Sequence, residues 1–293
     1  MKIISIFNEK GGVGKSSISI LYASWLKYRH GVNVGFADFN NRIKTYRNAE
    51  IEERRKAMAE NPDMAPFDTA SAWPIVSISA AELNELEREG CQVKYAKWLQ
   101  EKIQDGALRE FDVVLCDFPG SFELGYKEVM NYRLLNLVVV PTEKEQFTLN
   151  STLKVIKLNE FYRQNTAVFI NRAKMNLNNV AAQYYKFGRK LNDMVNPQVP
   201  LLPDIVCESD KMSTIYKVDI IRSTFSYPDF SRPELAKAGD LGLENLFIDI
   251  TKELQKCQDI PGTAPADLSF VDRLQKNSYG KQITGTRFPE YEV

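Results

Sequence analysis

Residues Phe7 to Ser17 read FNEKGGVGKSS, a run that brings together the groups needed to hold a polyphosphate. Gly11, Gly12 and Gly14 can take backbone angles closed to other residues, so their N–H groups can converge on phosphate oxygens. Val13 and Ser17 complete the binding run. Lys15 would reach the β- and γ-phosphates, and the Ser16 hydroxyl would bind Mg²⁺. The pattern G-x-x-x-x-G-K-[ST] ends correctly at Gly14-Lys15-Ser16, but Glu9 stands where its first glycine belongs. A second lysine, Lys10, precedes the glycine pair and asks for a role of its own.

Such a loop works only between a strand and a helix, because the helix N-terminus adds a positive dipole end to the amides. The flanks meet that demand. KIISIF reads as a strand, and SSISILYASWLK reads as a mostly apolar helix ending near Gly31. Further apolar runs follow as strands: NVGFAD, AWPIVSIS, FDVVLCDF, LNLVVVPT and TAVFINR. Between them IEERRKAMAEN, KYAKWLQEKIQDGALREF and NSTLKVIKLNEFY read as helices. Apolar strands alternating with helices predict an α/β fold, a parallel sheet covered by helices on both faces.

The chain has 293 residues, 44% of them apolar, which suits one domain of this class with a substantial core. Lys+Arg and Asp+Glu both number 38, so the balanced charge argues against a general nucleic-acid coat and leaves room for a local basic patch. Cys91, Cys116, Cys207 and Cys257 are scattered without a CxxC pair, which argues against a disulfide framework or a zinc site. With no signal-like start and no apolar stretch of spanning length, a cytoplasmic protein without a membrane anchor is expected. One domain over 1–258 is anticipated, with a divergent, insert-like segment at 41–89; the polar, Gly- and Pro-containing residues 259–293 read as a loosely attached tail.

NEKGGVGKSS resembles the deviant Walker A loop, K-G-G-x-G-K-[ST], of the ParA/MinD ATPases, nearest to the short ParA/Soj-type partition proteins. The likeness runs from Met1 to about Lys256, is strong at the front and looser later, and implies a parallel-sheet P-loop NTPase. In that family the extra lysine, here Lys10, reaches the phosphates of the other subunit across a nucleotide-sandwich dimer. NVGFADFN is similar to a strand that ends Asp-x-Asp; Asp38 matches the first acid, and Asn40 stands in place of the second. The second acid is associated with positioning the attacking water. Asparagine can orient that water but cannot take its proton, so slow hydrolysis is implied, with Asp38 as the other candidate for the role. Asp38 is also a candidate beside the metal. FDVVLCDFPGS is similar to the Walker B strand, which assigns Asp117 to Mg²⁺ and Pro119-Gly120 to the turn near the γ-phosphate. Pro141 and Thr142 would flank the site. The resemblance further places Asn171 and Arg172, with Pro203 and Asp204, near the base, and the lack of N-K-x-D at the TAVFINR strand favours adenine over guanine.

The resemblance therefore implies ATP and Mg²⁺ as cofactors, an ATP-dependent homodimer, and slow hydrolysis stimulated by a ParB-like or other activating protein. It also implies DNA partition or positioning through DNA bound without sequence preference. Lys211, Lys217, Arg222, Arg232 and Lys237 are the basic residues available for that contact. Two other readings share the scaffold. One is a P-loop small-molecule ligase or kinase, with substrate residues in 41–89. The other is a MinD-like positioning ATPase, which needs an amphipathic anchor that the acidic ending PEYEV does not supply.

Overall fold

The computed structural model describes residues 1–174 except 65, 105 and 121–124, then 187, 190, 191, 193, 194, 199–202, 207 and 208, and finally 243–275. Six strands form one parallel sheet: β1 (Lys2–Ile6), β2 (Val34–Asp38), β3 (Ile75–Ser77), β4 (Val113–Asp117), β5 (Leu137–Thr142) and β6 (Thr166–Ile170). Their spatial order is β3-β2-β4-β1-β5-β6, so β1 lies centrally between β4 and β5. A separate pair of two-residue strands, Ala173–Lys174 and Cys207–Glu208, lies outside this sheet.

Period-two alternation splits the side chains between two cores. Ile4, Ile6, Phe36, Val113, Leu115, Val139 and Phe169 face one layer, while Ile3, Ala37, Val114, Cys116, Val138, Val140 and Ile170 face the other. Strands with both faces buried read as continuous apolar runs, which is why β1, β2, β4, β5 and β6 stand out in the sequence, while the edge strand β3 is only partly buried.

On the first face pack α1 (Lys15–Ser24), continued by a π-helical turn over Trp25–Arg29, and α7 (Leu243–Lys256). Ile43 of α2 (Arg42–Glu60) joins them. The second face is covered by α3 (Ala80–Arg88), α4 (Lys94–Gln104), α5 (Gly125–Asn131) and α6 (Gln146–Phe161). The helix expected through Phe111 stops at Gln104, since Gly106 at φ 107° turns the chain and the Leu108 amide closes back on the Lys102 carbonyl at 2.9 Å.

The 41–89 segment, where a helix and a strand were expected, supplies α2, the edge strand β3 and the capped helix α3 at one flank of the sheet. One further expectation differs from what is seen. Residues 259–275, expected to be loosely attached, are docked. Asp259 pairs with Lys2 at 3.5 Å, and Leu268 and Val271 are buried in the first core. Burying two such side chains stabilises by about 1.5–3 kcal/mol each, enough to hold a short segment. Among the described residues, no helix is long and apolar enough to cross a membrane.

Candidate nucleotide site

All the described site candidates lie at the carboxyl ends of the strands, the pole where open parallel sheets bind ligands. The loop leaves β1 and enters α1 through Gly14, at φ 89°; Gly12 is also left-handed, at φ 78°. Gly14 could not be otherwise, because a Cβ there would lie 2.8 Å from the Asn171 amide nitrogen. The loop is anchored from beneath by Asn8. Its amide donates to the Pro141 carbonyl at 2.8 Å and to Thr152 Oγ1 at 3.0 Å, and its Oδ1 accepts from the Lys10 amide at 3.0 Å. Glu9 points away from the glycines and pairs with Lys154 of α6 at 3.5 Å.

Lys15 is buried, and its Nζ donates to the Lys10 carbonyl at 2.8 Å. Burial lowers its pKa, partly offset by the negative charge of Asp117, while the nearby Arg42 charge lowers it further. Gly120 comes so close that a Cβ there would lie 3.2 Å from this ammonium. Thus the Pro119-Gly120 turn packs directly on the loop lysine.

Ser16 Oγ donates to Asp117 Oδ1 at 3.0 Å. Asp117 is 1% exposed, and its Oδ2 has no hydrogen-bond partner among the described residues. Its pKa is pushed up to about 6 by burial first and the neighbouring Asp38 charge second, against the opposing pull of Ser16, Arg42 and Asn40. An orphaned, buried carboxylate oxygen beside a hydroxyl is a hard-oxygen donor set that suits Mg²⁺. The residues fit that ion.

Asp38 and Asp117 are register partners at the ends of β2 and β4. Yet the Asp38 carboxylate is turned to the backbone, accepting from the Asn40 amide at 3.1 Å and the Lys44 amide at 3.0 Å. It caps α2, whose own N-cap residue Asn41 is left-handed at φ 55° and gives no side-chain cap. Burial nonetheless raises the Asp38 pKa, with these amides opposing.

Lys10 lies at the rim. Its Nζ contacts Glu145, Thr148 Oγ1 at 2.6 Å and Glu143 at 3.6 Å, all in its own chain. Arg172, left-handed at φ 54°, pairs with the other oxygen of Glu143 at 3.6 Å. Asn171, at the end of β6, donates to the Val13 carbonyl at 2.8 Å, and its Oδ1 is buried without a partner among the described residues. Sequence reading brought no attention to Asn8, Glu143, Glu145, Thr148 or Arg42. Only the acidic pair directly after VVVPT hinted at a counter-ion for Lys10. Pro203, Asp204, Lys211, Lys217, Arg222, Arg232 and Lys237 lie outside the described residues.

A family model described as an AAA domain matches residues 1–171, more than half of the chain and the whole of the loop-bearing part of the sheet. The chain belongs to the ParA/MinD-type P-loop ATPase family. No curated protein matches it in sequence. Among solved structures it is similar to the MinD cell division protein of Aquifex aeolicus, with TM-score 0.55 and 17% identity over 89% of this chain and 99% of that one. It is similar to an ATP complex of McdA from Cyanothece, with TM-score 0.58 and 16% identity over 89% and 98%. A plasmid partition protein of Borrelia burgdorferi B31 bound to AMPPNP gives TM-score 0.54 and 16% identity over 85% and 99%. At such identities the likeness is one of fold.

Proposed function

We propose that this family member binds ATP with Mg²⁺, pairs with a second copy of itself when ATP is bound, and hydrolyses ATP slowly until a partner protein stimulates it. The observation that carries the reading is the Asp117 Oδ2 atom, buried and unpartnered beside Ser16 below a left-handed glycine loop. Bound Mg²⁺ would bridge phosphate oxygens and neutralise charge there, held by Ser16 and Asp117. Lys15 has only to leave the Lys10 carbonyl to meet a phosphate. The free Asn171 Oδ1 offers an acceptor to an exocyclic amino group, which adenine has at the position where guanine carries an oxygen.

Self-association is supported at the rim. Lys10 is held by half-exposed pairs worth about 0–1 kcal/mol each, weak enough for a polyphosphate from a second copy to displace. Phe147, 76% exposed, stands next to this cluster in sequence and offers apolar area to the same contact. Slow turnover follows from Asn40, which can orient a water without taking its proton, and from the commitment of Asp38 to capping α2. The neighbours described as plasmid partition and cell division proteins support a positioning role, and non-specific DNA is the track that the resemblance to ParA-type proteins suggests for it. Sedimentation with ATP-Mg, with ADP-Mg and with neither, in the presence and absence of duplex DNA, tests the reading. ATP-specific pairing and ATP-specific DNA retention are expected. A chain that remains monomeric in all three states removes the self-association, and equal DNA retention in all three removes the DNA track.

A further inference from the structure

Asp38 turns back onto the amides of Asn40 and Lys44, so the first turn of α2 is held against the end of β2, where Asp38 is the register partner of Asp117 on β4. Arg42 is the first residue of that helix. Its side chain is exposed, with the guanidinium carbon 6.0 Å from the centre of the Tyr46 ring, and among the described residues no carboxylate lies within ion-pair distance of it. Its backbone N–H faces the Asp38 carboxylate, and Asp38 is the register partner of Asp117, so the residue stands beside the strand ends that carry the site. It is therefore a third cation at this pole, and it differs from the other two. Lys15 rests on a carbonyl and Lys10 on carboxylates, while Arg42 has only the face of an aromatic ring. The neutral Asn40 two residues earlier leaves it without the counter-ion that an acid there would supply.

We propose that Arg42 is a phosphate-binding residue of the same subunit, reading the terminal phosphate of ATP. The proposal rests on the nucleotide reading above and extends it to the step that separates ATP from ADP. A guanidinium offers a planar fork of donors suited to phosphate oxygens, and one that is already unpaired loses no ion pair when it engages them. Placed on a helix whose start is fixed by Asp38, it would also couple the position of α2 to the presence of the third phosphate.

The test is calorimetric binding of ATP-Mg and ADP-Mg to wild type, Arg42→Ala and Arg42→Lys. Loss of one charge-assisted contact to a phosphate corresponds to roughly a tenfold or greater weakening. The expected result is that Arg42→Ala loses about that factor for ATP. ADP affinity should stay unchanged, and Arg42→Lys should recover part of the loss. Unchanged ADP binding also reports that the variant is folded. Equal affinity of wild type and Arg42→Ala for ATP overturns the proposal, as does a parallel loss for both nucleotides. Failure of the wild type to bind either nucleotide overturns the nucleotide reading itself, a separable outcome.

Discussion

On one flank of the phosphate loop Ser16 and Asp117 meet at 3.0 Å, buried at the carboxyl end of β4; on the other, Lys10 lies among Glu143, Glu145 and Thr148 at a half-exposed rim. The first flank is short of a partner, with a carboxylate oxygen sealed from solvent and bonded to nothing among the described residues. The second holds its charges in ion pairs within the same chain: Lys10 with Glu143 and Glu145, and Arg172 with Glu143 Oε1, an oxygen that has this ion pair but no hydrogen bond among the described residues. On the proposed function, the cation pocket would be ready before any ligand arrives, while the extra lysine would first have to be released from its own carboxylates. On that proposal nucleotide binding and self-association become separable steps, the first set by buried groups and the second by exposed, weaker ones.

The largest expected effect is that of Lys15→Ala, which should weaken ATP binding by on the order of 100-fold or more, since a buried cation at the loop has no substitute there. Calorimetry reads it; retention of wild-type affinity breaks the assignment of the inner flank. Next comes Lys10→Ala. Nucleotide affinity should change by no more than about threefold, in keeping with a rim-exposed contact. ATP-dependent pairing in sedimentation should disappear, and unaltered pairing would remove the contrast between the flanks.

The two flanks also differ in their response to pH. In the metal-free protein the Asp117 pKa is raised to about 6. The folded state then holds this proton more tightly than the unfolded chain, so the stability is greatest below the ordinary carboxyl pKa and is lost as pH rises through about 6. Asp117→Asn should remove that loss and melt at a higher temperature than wild type at pH 7, with the advantage gone near pH 4. Lys10→Ala should leave the pH dependence as it is. The smallest effect expected is that of Asn40→Asp, a several-fold rise in steady-state ATP turnover; an unchanged rate moves the water-positioning role to Asp38.

How much of this was legible in the sequence follows from which contacts are local. The loop was readable because strand, glycines and helix are contiguous, and left-handed φ at Gly12 and Gly14 is a demand made residue by residue. Five of the six strands were readable because burial on both faces leaves unbroken apolar runs; the edge strand β3 is only partly buried. The start of α2 was not. It is capped from Asp38 across a left-handed Asn41, and along its length only Ile43 and Glu50 are buried, so no apolar stripe marks it. The Lys10 cluster was hidden for a different reason. It joins residues about 135 positions apart, which meet only because the parallel crossovers set β5 beside β1. Asn171 was placed correctly at the end of a strand, but its bond to the Val13 carbonyl depends on the same long-range layout. Docking of the 259–275 segment turns on Leu268 and Val271, two apolar residues in a polar stretch, and composition averaged them away.

The central claim is that Ser16 and Asp117 form a cation pocket serving a triphosphate. Its most direct test is ATP affinity measured on the wild-type chain with Mg²⁺ and with a chelator, alongside Asp117→Asn under both conditions. The account predicts that Mg²⁺ tightens ATP binding to wild type by about tenfold or more and has little effect on the variant. Equal affinity with and without the metal in wild type, or an undiminished metal effect in Asp117→Asn, would contradict it.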